Sequence, residues 1–263
     1  MSKHMDDTVA MCTIILPRLE VFFLSEWIEH NLELGVNSIY IFNNGLKPVA
    51  DVNAHWIGEE LTDLAKKIAK KKDVKVPESK VWDKKPHVDY FIEYSDKEIM
   101  DKLHTIVNEY PQVKLISWIC GKDHNYGYPS SQQKMIPEVL QRKKESWLLH
   151  LDCDEFLHFA EDNSIQSYIN DNPTIEYFTI QSKKAAMRKR DKPVKDLEIG
   201  GPGGQTKFLA KVSYDDYDPK LGLRPGAWIH HIPGQFYEST LKHKKCDINE
   251  VFYAHHLEGQ FKG

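Results

Sequence analysis

The amino-terminal part of the chain carries the pattern that most restricts its fold: a strand, a helix and a second strand follow one another closely. Met11–Leu16 is an apolar run that suits a buried strand, and Pro17 ends it because proline cannot donate to a strand ladder. The next segment, which Ser25 can cap and Gly35 can end, has apolar residues at helical spacing. Ser38–Phe42 is the second strand, so the pattern predicts a βαβ unit with parallel strands.

Strands and helices continue to alternate through the middle of the chain, which predicts an α/β fold with a mainly parallel sheet and helices on both faces. Val113–Ile119 and Trp147–Leu151 are further apolar strands, and Ser130–Arg142 is a helix that Pro137 must kink or divide. Gly200–Gly204 is too rich in glycine for a strand or helix interior, which predicts a mobile loop. Tyr177–Gln181 is a further strand. Three later strands are expected to be short and antiparallel or mixed: Phe208–Val212, Ala227–Ile232 and Val251–His255.

Length and charge narrow the functional classes. The chain of 263 residues fits one large domain, and 35 Lys and Arg against 39 Asp and Glu give a net charge of -4. This balance provides no overall positive field to hold a polyphosphate, which argues against nucleic acid as a partner. No apolar run approaches the roughly 18 residues that span a bilayer, and residues 1–10 contain no apolar signal core. We expect a soluble, cytoplasmic protein with no membrane span and with reduced cysteines.

Two carboxylates separated by one residue follow the strand Trp147–Leu151. Side chains i and i+2 of a strand lie on the same side, so Asp152 and Asp154 can face one divalent cation. Ligands of open α/β sheets bind beyond the carboxyl ends of strands, and carboxylates together with substrate phosphates commonly hold Mn²⁺ or Mg²⁺. Asp152, Asp154 and Glu155 would also repel one another unless a cation or hydrogen-bond donors offset the repulsion. We therefore predict a Mn²⁺ or Mg²⁺ site, with a solvated turn as the alternative.

Two segments of the chain resemble motifs of a known enzyme class. Trp147–Phe156 resembles the W-x-x-x-x-D-x-D-E-F motif of GT-A-type glycosyltransferases, particularly their family-2-like and family-92-like groups. Glu26–Val36 resembles the E-W-I-x-x-H-x-x-L-G-V helix of the same enzymes, and Asn44-Gly45 follows the second strand. The resemblance covers about residues 11–160 and implies a Rossmann-like GT-A fold for nucleotide-diphospho-sugar transfer. Because the sequence shows no membrane segment, we expect the chain to be more similar to soluble glycosyltransferases, including those of large DNA viruses, than to Golgi enzymes of this fold.

The resemblance implies a reaction and its participants. A sugar would move from a nucleoside diphosphate sugar, such as UDP-glucose or UDP-xylose, to a hydroxyl of a glycan acceptor. The cation would be held by Asp154 and by His255 or His256, while Asp152 contacts the ribose or a metal-bound water. Within one domain, 1–263, the donor and the cation belong to about 11–160 and the acceptor to about 161–263. The implied donor contacts are Leu16, Pro17, Arg18, Glu20, Asn43, Asn44, Gln133 and Asp152.

Further roles rest on residue chemistry. Arg224 can pair bidentately with a phosphate, with a surface ion pair as the alternative. The Gly200–Gly204 segment, followed by Lys207, can close over the donor and the acceptor and exclude water, with a flexible turn as the alternative. An inverting reaction needs a carboxylate that takes the acceptor proton. The candidates for this base are Asp215, Asp216, Asp218 and Glu238.

Two other functional classes stay open. A non-catalytic nucleotide-sugar-binding module would keep the fold without turnover. Arg18-Leu19-Glu20 supports it, because the family usually has asparagine at the middle position, and Asn43 stands where aspartate is common. A metal-dependent sugar-nucleotide hydrolase or nucleotidyltransferase would use the same carboxylates.

Overall fold

The structure is a computed structural model that describes residues 7–46, 94–118, 130–160, 163–185, 198–214 and 242–255. The side chains of residues 18, 19, 130–134 and 255 are outside this description. In chain order the elements are β1 (Val9–Ile15), α1 (Pro17–Glu20), α2 (Leu24–Glu33), β2 (Ser38–Asn43), α3 (Asp96–Glu109), β3 (Val113–Ser117), α4 (Ser130–Arg142), β4 (Trp147–His150), β5 (Glu155–Phe159), α5 (Ile165–Asn170), β6 (Tyr177–Ala185), β7 (Ile199–Lys211), β8 (His243–Lys245) and β9 (Val251–His255).

The strands in these ranges form one sheet with the order β3-β2-β1-β4-β7-β6-β9-β5, and β8 pairs with β6. The four strands β3, β2, β1 and β4 are parallel to one another and are called the parallel half here. In the mixed half, β7-β6-β9-β5 with β8, β7 is antiparallel to β4 and β6, and β5 is antiparallel to β9. The pairs of β6 with β8 and with β9 are parallel.

Helices cover both faces of the sheet. On one face, Trp27 of α2 and Leu103 of α3 pack with Met11 of β1 in a shared core cluster. On the other face, Val139 of α4 packs with Cys12 in a second cluster. Neighbouring residues of β1 therefore point into the two core clusters on opposite faces of the sheet, as expected for a parallel strand with a continuous apolar run. The predicted α/β class, a mainly parallel mixed sheet with helices on both faces, is confirmed.

Two helix starts differ from the sequence predictions, and a third helix is not divided at its proline. Pro17 follows the strand and begins the one-turn helix α1, which was not predicted, because its fixed φ suits a first helical position. Helix α2 begins at Leu24 after Phe23, with no side-chain cap from Ser25. Helix α4 runs through Pro137 as one element, and the apolar residues on both sides of the proline stay packed in the core. None of the helices in the described ranges is long and apolar enough to cross a bilayer.

The glycine-rich segment Gly200–Gly204 belongs to strand β7, so the prediction of a loop was wrong. Its neighbourhood pairs with the end of β6, where Lys183 faces Pro202 and the register shifts twice. A Cβ on Gly203 would overlap the hydroxyl of Ser182, so the close approach of the two strands requires glycine there. Pairing with β6 outweighs the poor strand propensity of glycine.

Candidate functional site

The strand order of the parallel half reverses at β1. From β1 the chain adds β2 and then β3 on one side, whereas β4 pairs with the other side of β1. In open α/β sheets, ligands bind in the crevice beyond the carboxyl ends of the strands at such a reversal. The reversal lies between β1 and β4. The segment Leu16–Glu20 follows β1, and the segment Asp152–Asp154 follows β4.

Backbone hydrogen bonds align the carboxyl ends of these strands. The N–H of Asn44 donates to the carbonyl of Ile15 over 3.1 Å, and the N–H of Trp118 donates to the carbonyl of Asn43 over 2.8 Å. The side-chain oxygen of Asn43 accepts the N–H of Gly45 at 2.9 Å, which fixes the turn after β2. The predicted donor contacts at Leu16, Asn43 and Asn44 therefore lie along one edge of the sheet.

Helix α1 folds back onto the end of β1. The carboxylate of Glu20 accepts the N–H of Leu16 at 2.6 Å. Burial raises the pKa of the Cys153 thiol, and the nearby negative charge of Glu20 adds to the increase. Glu20 thus holds the start of α1 against the end of β1, and its charge acts on Cys153 in the turn that follows β4.

The two aspartates lie in a turn between β4 and β5, because β4 ends at His150. The use of strand geometry to place the Asp152 and Asp154 side chains on one side was therefore wrong, because the two residues do not lie in a strand. The N–H of Glu155 donates to the carbonyl of Asp152 over 3.0 Å. In return, the Glu155 carboxylate accepts the N–H of Asp152 at 2.8 Å. These two bonds fix the Asp152–Asp154 turn.

A buried lysine joins the two ends of this turn. Lys207 of β7 is 1% exposed and places its ammonium 2.7 Å from Oδ2 of Asp152 and 2.9 Å from Oε2 of Glu155. Burial alone would lower the pKa of Lys207, but the two carboxylates raise it above its ordinary value. The lysine is therefore charged at neutral pH. We call these three side chains the Asp152–Lys207–Glu155 cluster.

The groups packed around this cluster are protonated and buried. Burial raises the pKa of the Cys12 and Cys153 thiols, and Cys153 Sγ lies 3.7 Å from the hydroxyl oxygen of Thr13. Burial also raises the pKa of Tyr253 of β9. A thiol nucleophile or thiolate ligand needs a lowered pKa, so Cys12 and Cys153 serve here as packing groups.

The described residues contain no group of three Asp, Glu, His or Cys side chains arranged to hold a metal ion. Carboxylates are nevertheless present at the edge: Asp154 in the turn, and Asp152, which is 25% exposed and has Oδ2 bound to Lys207. A hard cation is commonly held by one or two carboxylates together with substrate phosphates. These oxygen donors suit Mn²⁺ or Mg²⁺ bound jointly with a phosphate, and they suit a thiophilic metal poorly.

The register of β5 and β9 bears on the late histidines. His255 is the backbone partner of Glu155 in this antiparallel ladder, directly beside the Asp152–Asp154 turn. Its side chain is outside the described residues. Also outside them are the side chains of Arg18 and Gln133 and the whole of Asp215, Asp216, Asp218, Arg224, Glu238, His256 and the predicted strand Ala227–Ile232.

The sequence did not lead us to assign Glu155 to the site, and it predicted Lys207 only as part of a segment that closes over the donor and acceptor. One signal could have found both. A lysine directly before the apolar run Phe208–Ala210 and an acid at the start of the apolar run Phe156–Leu157 are both charges next to buried strands. Each charge at such a position needs a partner of opposite sign.

No protein-family model and no curated protein matches the sequence. Among solved structures, the chain is similar to a protein described as a glucose-1-phosphate thymidylyltransferase from Bacillus anthracis in complex with sucrose (9% identity, 94% of this chain and 88% of that chain, TM-score 0.39). It is also similar to CMP:2-keto-3-deoxy-manno-octonic acid synthetase complexed with CTP (9% identity, 91% and 88%, TM-score 0.40). A third is UDP-glucose pyrophosphorylase from Acinetobacter (10% identity, 97% and 87%, TM-score 0.36). These values are too low to assign the chain to the family of any of them.

Proposed function

We propose that this protein is a cation-dependent glycosyltransferase of the GT-A type. It transfers a sugar from a nucleoside diphosphate sugar, with UDP-sugars such as UDP-glucose or UDP-xylose favoured, to a hydroxyl of a glycan acceptor. The observation that carries the proposal is the position of the Asp152–Asp154 turn, directly after β4 at the reversal of strand order beside β1. Crevices at such reversals bind nucleotides in open α/β sheets.

The donor's base and ribose would lie against Leu16–Arg18, Glu20 and Asn43-Asn44, which follow β1 and β2 at the same edge. Asp152 would accept a hydrogen bond from the ribose or from a metal-bound water. Gln133 and Arg224 are assigned to the donor as well, and the guanidinium of Arg224 suits a phosphate because it donates two parallel hydrogen bonds.

Asp154 would hold Mn²⁺ or Mg²⁺, with His255 or His256 as a further ligand. When bound, the cation neutralises the charge that develops on the leaving diphosphate. The register of His255 opposite Glu155 supports its assignment, because it brings the backbone of β9 beside the turn. Glu155 and Lys207 hold that turn through the hydrogen bonds described above.

The acceptor is assigned to residues of about 161–263 within a single domain. A carboxylate there, Asp216, Asp218 or Glu238, would take the proton of the attacking hydroxyl if the reaction inverts the anomeric centre. This proton transfer would make the acceptor oxygen a better nucleophile as the bond to the diphosphate breaks.

A single assay series separates this function from the other two. The full chain is incubated with Mn²⁺ and a panel of UDP- and GDP-sugars, with and without acceptor glycans, and separately with UTP and a sugar 1-phosphate. Bound nucleotide, released nucleoside diphosphate and released pyrophosphate are measured. Release that depends on the acceptor supports transfer. Release without an acceptor indicates a hydrolase, release of pyrophosphate from UTP and a sugar phosphate indicates a nucleotidyltransferase, and binding without release indicates a non-catalytic module.

A further inference from the structure

Lys207 lies in a position that is costly for a lysine. Its side chain is 1% exposed, so folding removes the ammonium from water. Glu155, which is also 1% exposed, would by itself neutralise the buried charge. The ammonium is instead shared with Asp152, a side chain that reaches the surface. The shared contact therefore links a buried ion pair to the candidate ligand site.

The hydrogen bonds of the Asp152–Lys207–Glu155 cluster form a closed ring. Glu155 accepts the backbone N–H of Asp152 and a hydrogen from Lys207, and Lys207 donates a second hydrogen to Oδ2 of Asp152. Both the backbone and the carboxylate of Asp152 are thus held by groups that are themselves buried. Its other oxygen, Oδ1, lies 3.8 Å from Nε2 of His150.

We propose that Lys207 is a positioning residue. Its ammonium, which Glu155 holds in place, fixes the orientation of the Asp152 carboxylate and offsets the negative charge of that carboxylate before a ligand binds. The inference rests on the proposed function, in which this edge binds a cation and a nucleoside diphosphate. Asp152 then acts as an oriented acceptor for a hydroxyl or a water. It does not act as an additional free charge that attracts the cation and repels the diphosphate.

Removal of the ammonium should therefore shift two affinities in opposite directions. A released Asp152 carboxylate makes the edge more negative, which strengthens binding of a cation alone. The same released charge repels the diphosphate, and the oriented acceptor is lost, which weakens binding of the nucleotide. If Lys207 only supports the fold, its removal should weaken the binding of the cation and the binding of the nucleotide together.

The test variant is Lys207→Met/Glu155→Gln in the full chain. Lys207→Met alone would leave Glu155 buried without a counter-ion, and the glutamine removes that problem while it can still accept the N–H of Asp152. The net charge of the cluster is unchanged, because one ammonium and two carboxylates carry the same charge as the one carboxylate that is left. Shifts of the two affinities in opposite directions therefore report where the charge lies. The matched control is Lys211→Met, since Lys211 lies on the same strand but is 48% exposed.

Affinity for Mn²⁺ alone is measured from the electron paramagnetic resonance signal of free Mn²⁺, and affinity for UDP at saturating Mn²⁺ is measured by calorimetry. In the double variant we expect Mn²⁺ to bind about threefold or more tightly and UDP to bind about fivefold or more weakly. The control should change each affinity by less than about twofold.

Three results would overturn the inference. Wild-type affinities in the double variant would mean that Lys207 only neutralises Glu155, and parallel losses of both affinities would mean that it only supports the fold. The proposed function stands in both cases. If the wild-type protein binds neither Mn²⁺ nor UDP, the proposed function fails, and the inference fails with it.

Discussion

The parallel half and the mixed half of the sheet meet at the pair of β4 and β7, and they contribute to the candidate site in different ways. The parallel half presents the ends of its strands, where polar segments follow β1, β2 and β4 at one edge. The mixed half contributes residues of its strands to the candidate site: Lys207 lies inside β7, and the backbone of His255 in β9 pairs with Glu155 in β5. Parallel strands collect their carboxyl ends at one edge by geometry, whereas antiparallel neighbours reach that edge through selected side chains.

Burial of charge also differs between the two halves. Asp152, at the end of the parallel half, is 25% exposed, whereas Lys207 and Glu155 of the mixed half are each 1% exposed. A partly exposed carboxylate can meet a ligand, while a buried ion pair mainly holds the protein together. The comparison therefore favours ligand contacts at the turn after β4 and structural support from the charges behind it. Each prediction below tests one side of this division.

Asp154→Asn should have the largest effect. If the turn carries the ligand chemistry, loss of this charge should lower the rate of sugar transfer by roughly a hundredfold to a thousandfold, while the melting temperature changes little. The matched control is Asp171→Asn, because Asp171 is an exposed aspartate at the end of α5. Transfer at the wild-type rate by Asp154→Asn would remove the turn from the reaction.

Lys207→Met should have the largest effect on stability. It leaves Glu155 and Asp152 without their buried partner, which should lower the free energy of unfolding by about 3 to 5 kcal/mol. Lys211→Met, on the same strand but exposed, should cost less than about 1 kcal/mol. Urea denaturation measures both.

The pH dependence of this loss has a definite sign. Because the pKa of Lys207 is raised above 10.5 in the folded state, its contribution is fully present below 10.5 and is lost only as pH rises through the raised value. In Lys207→Met/Glu155→Gln, which leaves no unpaired buried carboxyl that could titrate in this range, the loss of stability relative to the wild type should therefore be equal at about pH 7 and about pH 9. Equal, small losses in the Lys207 and Lys211 variants would show that the buried charges of the mixed half do not support the fold.

Trp27→Phe should weaken the contact between the two halves. The indole N–H of Trp27 on α2 donates to the carbonyl of Glu155 over 2.9 Å, and both groups are buried. Phenylalanine leaves that carbonyl without its donor, which should cost about 1 to 3 kcal/mol beyond the loss of ring volume. Trp147→Phe is the matched control, because the acceptor of Trp147 is the carboxylate of Asp7, which is 28% exposed and can be hydrated. Equal losses of stability in the two variants would contradict the prediction.

Much of the parallel half could be predicted because its signals are local. The apolar run of β1, the helical spacing of α2 and the acidic residues after β4 are each read within a short window of sequence. The contact of Lys207 with Asp152 joins residues 55 positions apart, and the register of β4 and β7 that creates it has no local signature. Gly200–Gly204 was wrongly predicted as a loop for the same reason, since pairing with a distant strand decided its structure.

The smallest effect concerns His30, which joins α2 to β5. Its Nε2 lies 2.6 Å from the carbonyl oxygen of Leu157, and its ring contacts the rings of Phe156 and His158. A carbonyl oxygen can only accept, so Nε2 carries a hydrogen in the neutral ring. Burial lowers the pKa of His30 below its usual 6.5, and this effect exceeds the opposing effect of the hydrogen bond with Leu157.

This lowered pKa makes stability depend on pH with a definite sign. Above pH 6.5 the ring is neutral in both the folded and the unfolded state, whereas below 6.5 the unfolded chain takes up a proton that the folded ring resists. Stability is therefore present above 6.5 and is lost as pH falls toward the lowered pKa, by at most about 1.4 kcal/mol per pH unit. His30→Gln keeps an N–H donor but does not titrate, so it should lose less stability than the wild type between about pH 7.5 and about pH 5.5. Urea denaturation at the two pH values measures the difference, and identical losses in both proteins would mean that another group carries the pH dependence.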